Sequence, residues 1–215
     1  PEKGLVSPGE FLPVVENSHL EAPLGQWVLK EAIHRMNVWR EAGENLAISI
    51  NISAPHLMDR SFIDYLESYL HSHPDLDPAQ ITLEVLETTA LEDTKRASNV
   101  LTRCRKLGLQ VALDDFGTGF SSLTYLRTLP VDIIKIDQSF VRNMLEDASD
   151  HAIVESVIFL AQRFAHPVLA EGVETAEHAR ALRQMGCNFV QGYGIARPMP
   201  AGGVLDWARQ WQERV

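Results

Sequence analysis

Two regimes of apolar patterning alternate along the chain. Short β-rich runs, "LAISINI" (46–52), "ITLEVL" (81–86), "LQVALD" (109–114), "VDIIKI" (131–136), "PVLAE" (167–171) and "NFVQ" (188–191), predict six strands. Longer segments at about 56–72, 92–107, 119–128, 147–165 and 175–185 predict helices between and after them, with one more before at 22–42 and one at the end at 202–213. Strands separated by helices of this length pair in parallel, because a parallel connection needs a long crossover. Gly108, Pro130 and Gly186 each fall between a helix and the next strand, where a chain-reversing residue is expected. No linker, low-complexity tract or fixed sequence period interrupts the pattern, so one α/β domain over residues 1–215 is expected.

Composition narrows this little. The 215 residues are 45% apolar and 22% charged, ordinary for a globular chain. Charge is more telling: 29 acidic against 19 basic residues give a formal net charge of −10, which disfavours general attraction to a DNA or RNA duplex or to anionic lipid. A phosphate ligand would need a metal ion as mediator. Cys104 and Cys187 are far apart and fit neither a disulfide framework nor a zinc site, which suits a reducing cytosol. No stretch approaches the roughly 18 apolar residues of a membrane span, so no membrane contact by this segment is expected.

The ends of the predicted strands carry the chemistry: Asn51, Glu84 with Glu87, the neighbours Asp114 and Asp115, Lys135, Glu171 and Gln191. In a barrel of parallel strands all the C-terminal ends open onto one face and distant residues converge there. An open doubly wound sheet would spread them along an edge, so the barrel accounts better for so many acids. Glu84, Asp114, Asp115 and Glu171 with the amide oxygen of Asn51 make a hard-oxygen set without Cys or His, suited to Mg²⁺ or Mn²⁺ rather than zinc. Four carboxylates near one point repel unless cations lie among them, and a two-metal site would neutralise them. Such sites cleave phosphoesters, with Lys135 orienting water or offsetting phosphate charge.

Each residue also has a plainer reading. A single Asn or Glu at a strand end caps a helix or faces water, Asp115 could N-cap a short helix, Lys135 could snorkel, and Asp137 caps the segment after it. Across six strands the plain reading weakens. "DFG" at 115–117 lacks the other kinase motifs, and "GTGFSS" lacks the third glycine of a dinucleotide loop. His71 and His73 in "HSHP" are expected on solvated surface. Trp27, Trp39, Trp207 and Trp211 are expected in core packing or helix–helix contacts. No Ser or Cys has a His and an acid arranged around it.

With these residues in place, the sequence resembles the EAL-domain family, bacterial phosphodiesterases that open cyclic di-GMP. The blocks "KGLVSPGEFLPVVE", "ISINIS", "LEVLETT", "LDDFGTGFSSLTYLRTLPVDIIKID", "LAEGVET" and "QGYGIARPMP" carry the resemblance over essentially the whole chain. It implies a modified TIM (β/α)8 barrel, commonly a homodimer, that uses Mg²⁺ or Mn²⁺ to convert cyclic di-GMP to linear pGpG. At matching positions Asn51, Glu84, Asp114, Asp115 and Glu171 resemble the metal ligands. Lys135 resembles the lysine that contacts the attacking water, Gln191 the glutamine of the same site, and Glu171 has also been given a general-base role. Glu87, Glu174 and the loop Phe116, Gly117, Thr118, Gly119, Phe120, Ser121 and Ser122 resemble the parts that order the active-site loop and couple it to the dimer interface. A bacterial cytoplasmic location follows, in a parent protein that can be membrane-anchored and fused to sensor or cyclase domains.

The Glu-Ala-Leu motif that names the family should lie just before "PEKGLVSPGE" and is not in these 215 residues. Six of eight barrel strands are therefore expected, with open edges that favour pairing or aggregation. A non-catalytic cyclic di-GMP receptor is the alternative to the enzyme. Such receptors usually show substitutions among the acids, and none is visible here.

Overall fold

Six parallel strands form one sheet in consecutive order in a computed structural model that describes residues 4, 6–16, 18–118 and 127–212. They are β1 (Ile48–Asn51), β2 (Ile81–Leu86), β3 (Gln110–Phe116), β4 (Ile133–Ile136), β5 (Val168–Ala170) and β6 (Phe189–Val190). An order without reversal is that of a barrel wall and not of a doubly wound sheet, whose order reverses at a switch point. The expected truncated TIM barrel is what the strands build, as a curled half-barrel.

Register decides which side chains share a face. Asn51 lies beside Glu84, Glu84 beside Ala112, and Ala112 beside Ile133. Lys135 lies beside Leu169. Side chains alternate with period two, so Asn51, Glu84, Asp114, Lys135 and Glu171 project from one face at its C-terminal end. The opposite face carries Ile50, Leu83, Val111, Ile134 and Val168, all within the hydrophobic core. On the polar face Glu84, Ala112 and Lys135 are buried at the centre of the sheet, while Ser49 and Asn51 on β1 and Phe189 on β6 are exposed at its edges.

The described helices are α1 (Pro8–Val15), α2 (Glu21–Glu41), α3 (Ala54–Leu57), α4 (Phe62–His71), α5 (Glu87–Glu92), α6 (Thr94–Lys106), α7 (Gln138–Asn143), α8 (Ala148–Arg163), α9 (Ala176–Met185) and α10 (Val204–Gln212), of which α2, α6 and α8 pack on β1, β3 and β4. Four of them feed a strand through the same turn. After α6, Gly108 N–H donates to Arg105 O and Leu109 N–H to Cys104 O; after α9, Gly186 N–H donates to Arg183 O and Cys187 N–H to Leu182 O. Gly43 after α2 and Ala165 after α8 close in the same way. This pairing is the Schellman motif, which needs a left-handed residue and favours glycine there. Ala165 adopts it with φ 58 despite its Cβ.

The expected helices are refined in places. The 56–72 segment is two helices, because Asp59 accepts from the backbone N–H and the hydroxyl of Ser61 and starts a new helix there. At 92–107 Glu92 is the last residue of α5, and Asp93 caps α6 by accepting from Arg96 N–H. The helix expected over 119–128 lies mostly outside the described residues. Trp39 is buried, and Trp207 and Trp211 stack at 5.5 Å. Trp27 does not pack as expected: it is 59% exposed, because its position on α2 faces away from the sheet. His73 is likewise not on open surface but half-buried, its ring 4.6 Å from that of Tyr69 one turn earlier. Among the described residues no helix is long and apolar enough to cross a membrane.

Candidate active site

Lys135 is the centre of the polar face. Its side chain is 2% exposed, and its Nζ lies 2.6 Å from Glu84 Oε2, 2.8 Å from Asp114 Oδ1 and 2.5 Å from Glu171 Oε1. An ammonium has three donors, and three carboxylates from β2, β3 and the end of β5 take them. Burial opposes its charge, but the hydrogen bonds to Asp114, Glu171 and Glu84 outweigh that and raise its pKa. Glu171 moves up as well: burial raises its pKa and the fields of Asp114 and Glu84 add to this, against the pull of Lys135.

Adjacent residues on a regular strand point to opposite faces, so Asp114 and Asp115 should not share a site. Here the ladder between β3 and β4 shifts register between Leu113 and Phe116. Asp115 takes φ 54, in the left-handed region, and its N–H donates to Asp114 Oδ1. Both effects turn Asp115 back toward its neighbour. Asp114, Asp115 and Glu171 then offer carboxylate oxygens within 4.8 Å of one another. Burial, the charge of Asp114 and then Asp137 push the Asp115 carboxyl up to about 6.

The other expected site residues sit around this cluster. Glu87 is buried at the start of α5 and accepts from Gly117 N–H at 3.3 Å, tying the end of β2 to the turn after β3. Phe116 is not a loop residue as expected but the last of β3, buried because the register shift turns its ring toward the core. Gly117 and Thr118 form the turn, with the Thr118 hydroxyl donating to Asp115 O. Gly119, Phe120, Ser121 and Ser122 lie outside the described residues. Glu174 pairs with Arg142 Nε at 3.2 Å. Gln191 and Glu174 line a cavity of about 210 Å³ with Glu171 and Tyr193. Asn51 is exposed beside Glu84 and is not in the closest cluster.

Asp137 was read from the sequence only as a cap. It does cap α7, accepting from Ser139 N–H, but its charge also helps to raise the pKa of Asp115. The period-two step from Lys135 to Asp137 was the signal that placed it on the same face. As a donor set the cluster is all carboxylate, which fits a hard divalent cation and not a thiophilic one.

The chain matches the EAL domain family over residues 1–198. It is 39% identical over 210 residues to the cyclic di-GMP phosphodiesterase PA2567 of Pseudomonas aeruginosa, covering 98% of this chain and 36% of that protein. It is 37% identical over 214 residues to the cyclic di-GMP phosphodiesterase PdeR of Escherichia coli, covering 100% of this chain and 32% of that protein. The chain thus spans about a third of the length of the curated relatives it matches. Among solved structures, the MucR phosphodiesterase of Pseudomonas aeruginosa in complex with c-di-GMP is similar with a TM-score of 0.89 and 38% identity, over 95% of this chain and 83% of that one. Six consecutive parallel strands, acids at their C-terminal ends and a match running through both lead to one conclusion: this chain belongs to the EAL-domain family.

Proposed function

We propose that this chain hydrolyses one phosphodiester bond of cyclic di-GMP to give linear pGpG, using Mg²⁺ or Mn²⁺. The observation that carries the reading is the meeting of Glu84, Asp114 and Glu171 on one buried ammonium, with Asp115 beside them. So many carboxylates at one point are costly in a folded protein unless charge chemistry is done there. The relatives named as cyclic di-GMP phosphodiesterases support the substrate.

Asn51, Glu84, Asp114, Asp115 and Glu171 are the residues proposed to hold the metal. Bound divalent cations would supply Lewis acidity toward the phosphodiester and offset the charge of the carboxylates. Lys135 does the rest of the charge balancing: fully donated to three carboxylates, it must give up one of them to contact a water or a phosphoryl oxygen. Glu171 has the raised affinity for protons that a general base for that water needs, and Gln191 at the cavity edge would orient the same water. Glu87 and Glu174 brace the turn after β3 and the loop after β5.

The test is a time course of cyclic di-GMP with this chain and Mg²⁺, products separated by chromatography. The expected product is pGpG, lost in Asp114→Asn with the fold kept. Binding that persists in EDTA without product would replace the enzyme with a receptor.

A further inference from the structure

We propose that Arg142 and His178 form a positioning clamp on the loop between β5 and α9, fixing where Glu171 and Glu174 stand. The inference rests on the reading of Glu171 as a metal ligand. Arg142 Nε donates to Glu174 at 3.2 Å, and its own backbone carbonyl lies 3.2 Å from His178 Nε2. A carbonyl only accepts, so Nε2 carries the proton. In the neutral ring Nδ1 is then an acceptor, and the Thr175 hydroxyl meets it at 2.9 Å while accepting from His178 N–H. The tautomer follows from these partners. His178 is buried, and it joins the cap of α9 to the last turn of α7.

Packing holds the loop on both sides. Gly172 has φ +71, and a Cβ there would come 2.7 Å from Gln138 Cβ and 3.3 Å from Arg142 Cγ. Across the loop, a Cβ on Gly192 would come 2.4 Å from Val173 N, and one on Gly194 would come 2.7 Å from the Glu174 backbone. Val173 N–H donates to Gln191 O and Gly194 N–H to Val173 O. Residues 171–175 therefore run between two walls, and Arg142 is the side chain that reaches from α7 to the loop's acid. Its ion pair is about half exposed on both partners, and such pairs contribute roughly 0–1 kcal/mol. Removing it changes where the loop rests more than whether the protein folds.

The experiment compares the 215-residue chain with its Arg142→Gln, Arg142→Lys and His178→Gln variants, reading Mn²⁺ affinity by electron paramagnetic resonance and amide hydrogen exchange at 171–175. Arg142→Gln is expected to weaken Mn²⁺ binding about threefold and to speed exchange in that loop at an unchanged melting temperature, with Arg142→Lys restoring most of both. His178→Gln should speed exchange in the same residues. Unchanged affinity and unchanged loop exchange in Arg142→Gln would overturn the clamp, as would faster exchange spread over the whole chain. If the parent chain binds no Mn²⁺, the metal reading fails by itself and loop exchange alone decides on the clamp.

Discussion

Asp114 and Asp115 are sequence neighbours on a strand, yet their carboxylates reach within 4.8 Å of each other. The register shift in β3 and the left-handed φ of Asp115 make this possible, and both work against stability. Strain of this kind persists at sites where function requires it.

Asp115→Gly should therefore raise stability while removing activity. Glycine adopts φ 54 without a Cβ clash, and one of two repelling charges disappears. The expected outcome in urea unfolding is a gain of about 0.5–1 kcal/mol, together with at least about a hundredfold loss of cyclic di-GMP hydrolysis. A variant that is both less stable and fully active would contradict the strain argument.

Lys135→Met should show what the ammonium does. The variant keeps the volume of the side chain but leaves Glu84, Asp114 and Glu171 without their shared cation. Breaking a buried pair costs about 3–5 kcal/mol. Part of this loss should return on adding Mg²⁺ or Mn²⁺, and part on lowering the pH as the carboxylates protonate. Calorimetry with and without metal checks it, and a melting temperature indifferent to both would count against the charge explanation.

Much of this arrangement could be read from the chain. β2 falls at 81–86 as expected, because Ile81, Leu83 and Val85 alternate with Thr82 and Glu84 between the Pro78–Gln80 turn and Glu87, which leaves little choice of ends. The acids were legible because they stand within or just after such strands. Three things were not. α1 has no buried residue, so it imposes no periodicity on its sequence. The turn of Asp115 depends on a register shift against β4, which no local spacing encodes. The ion pairs of Lys135 are the third: "IIKID" singles out the residue, but only the curl of the sheet brings Glu84, two strands away, within its reach.

Ala165→Gly should stabilise the protein. The three equivalent turns carry Gly43, Gly108 and Gly186, all at positive φ, and Ala165 alone keeps a Cβ in that conformation. The expected gain is about 0.5–1 kcal/mol, with hydrolysis unaffected. A shift in the urea midpoint at constant slope would show it, and a lower midpoint would refute it.

Acid should weaken the fold through His56. Burial lowers its pKa from 6.5, against the opposing pulls of Asp59 and Glu21, and its buried Nε2 has no hydrogen-bond partner among the described residues. The folded state thus keeps the ring neutral while the unfolded chain takes up a proton near pH 6.5. Stability present above that pH is lost as pH falls through the lower folded-state value. His56→Leu should flatten the melting-temperature profile between pH 7 and 5 relative to the parent, and parallel profiles would rule His56 out.

Lys135 belongs to β4, while its partners come from β2, β3 and the end of β5. No hairpin or single βα unit contains any two of the four. A partly folded chain with only its first three strands would hold Glu84 and Asp114 but no counter-charge, and one with only its last three would hold the cation with a single acid. The cluster comes into existence when the middle of the sheet is complete, so a signal from a metal bound there reports finished assembly rather than local order.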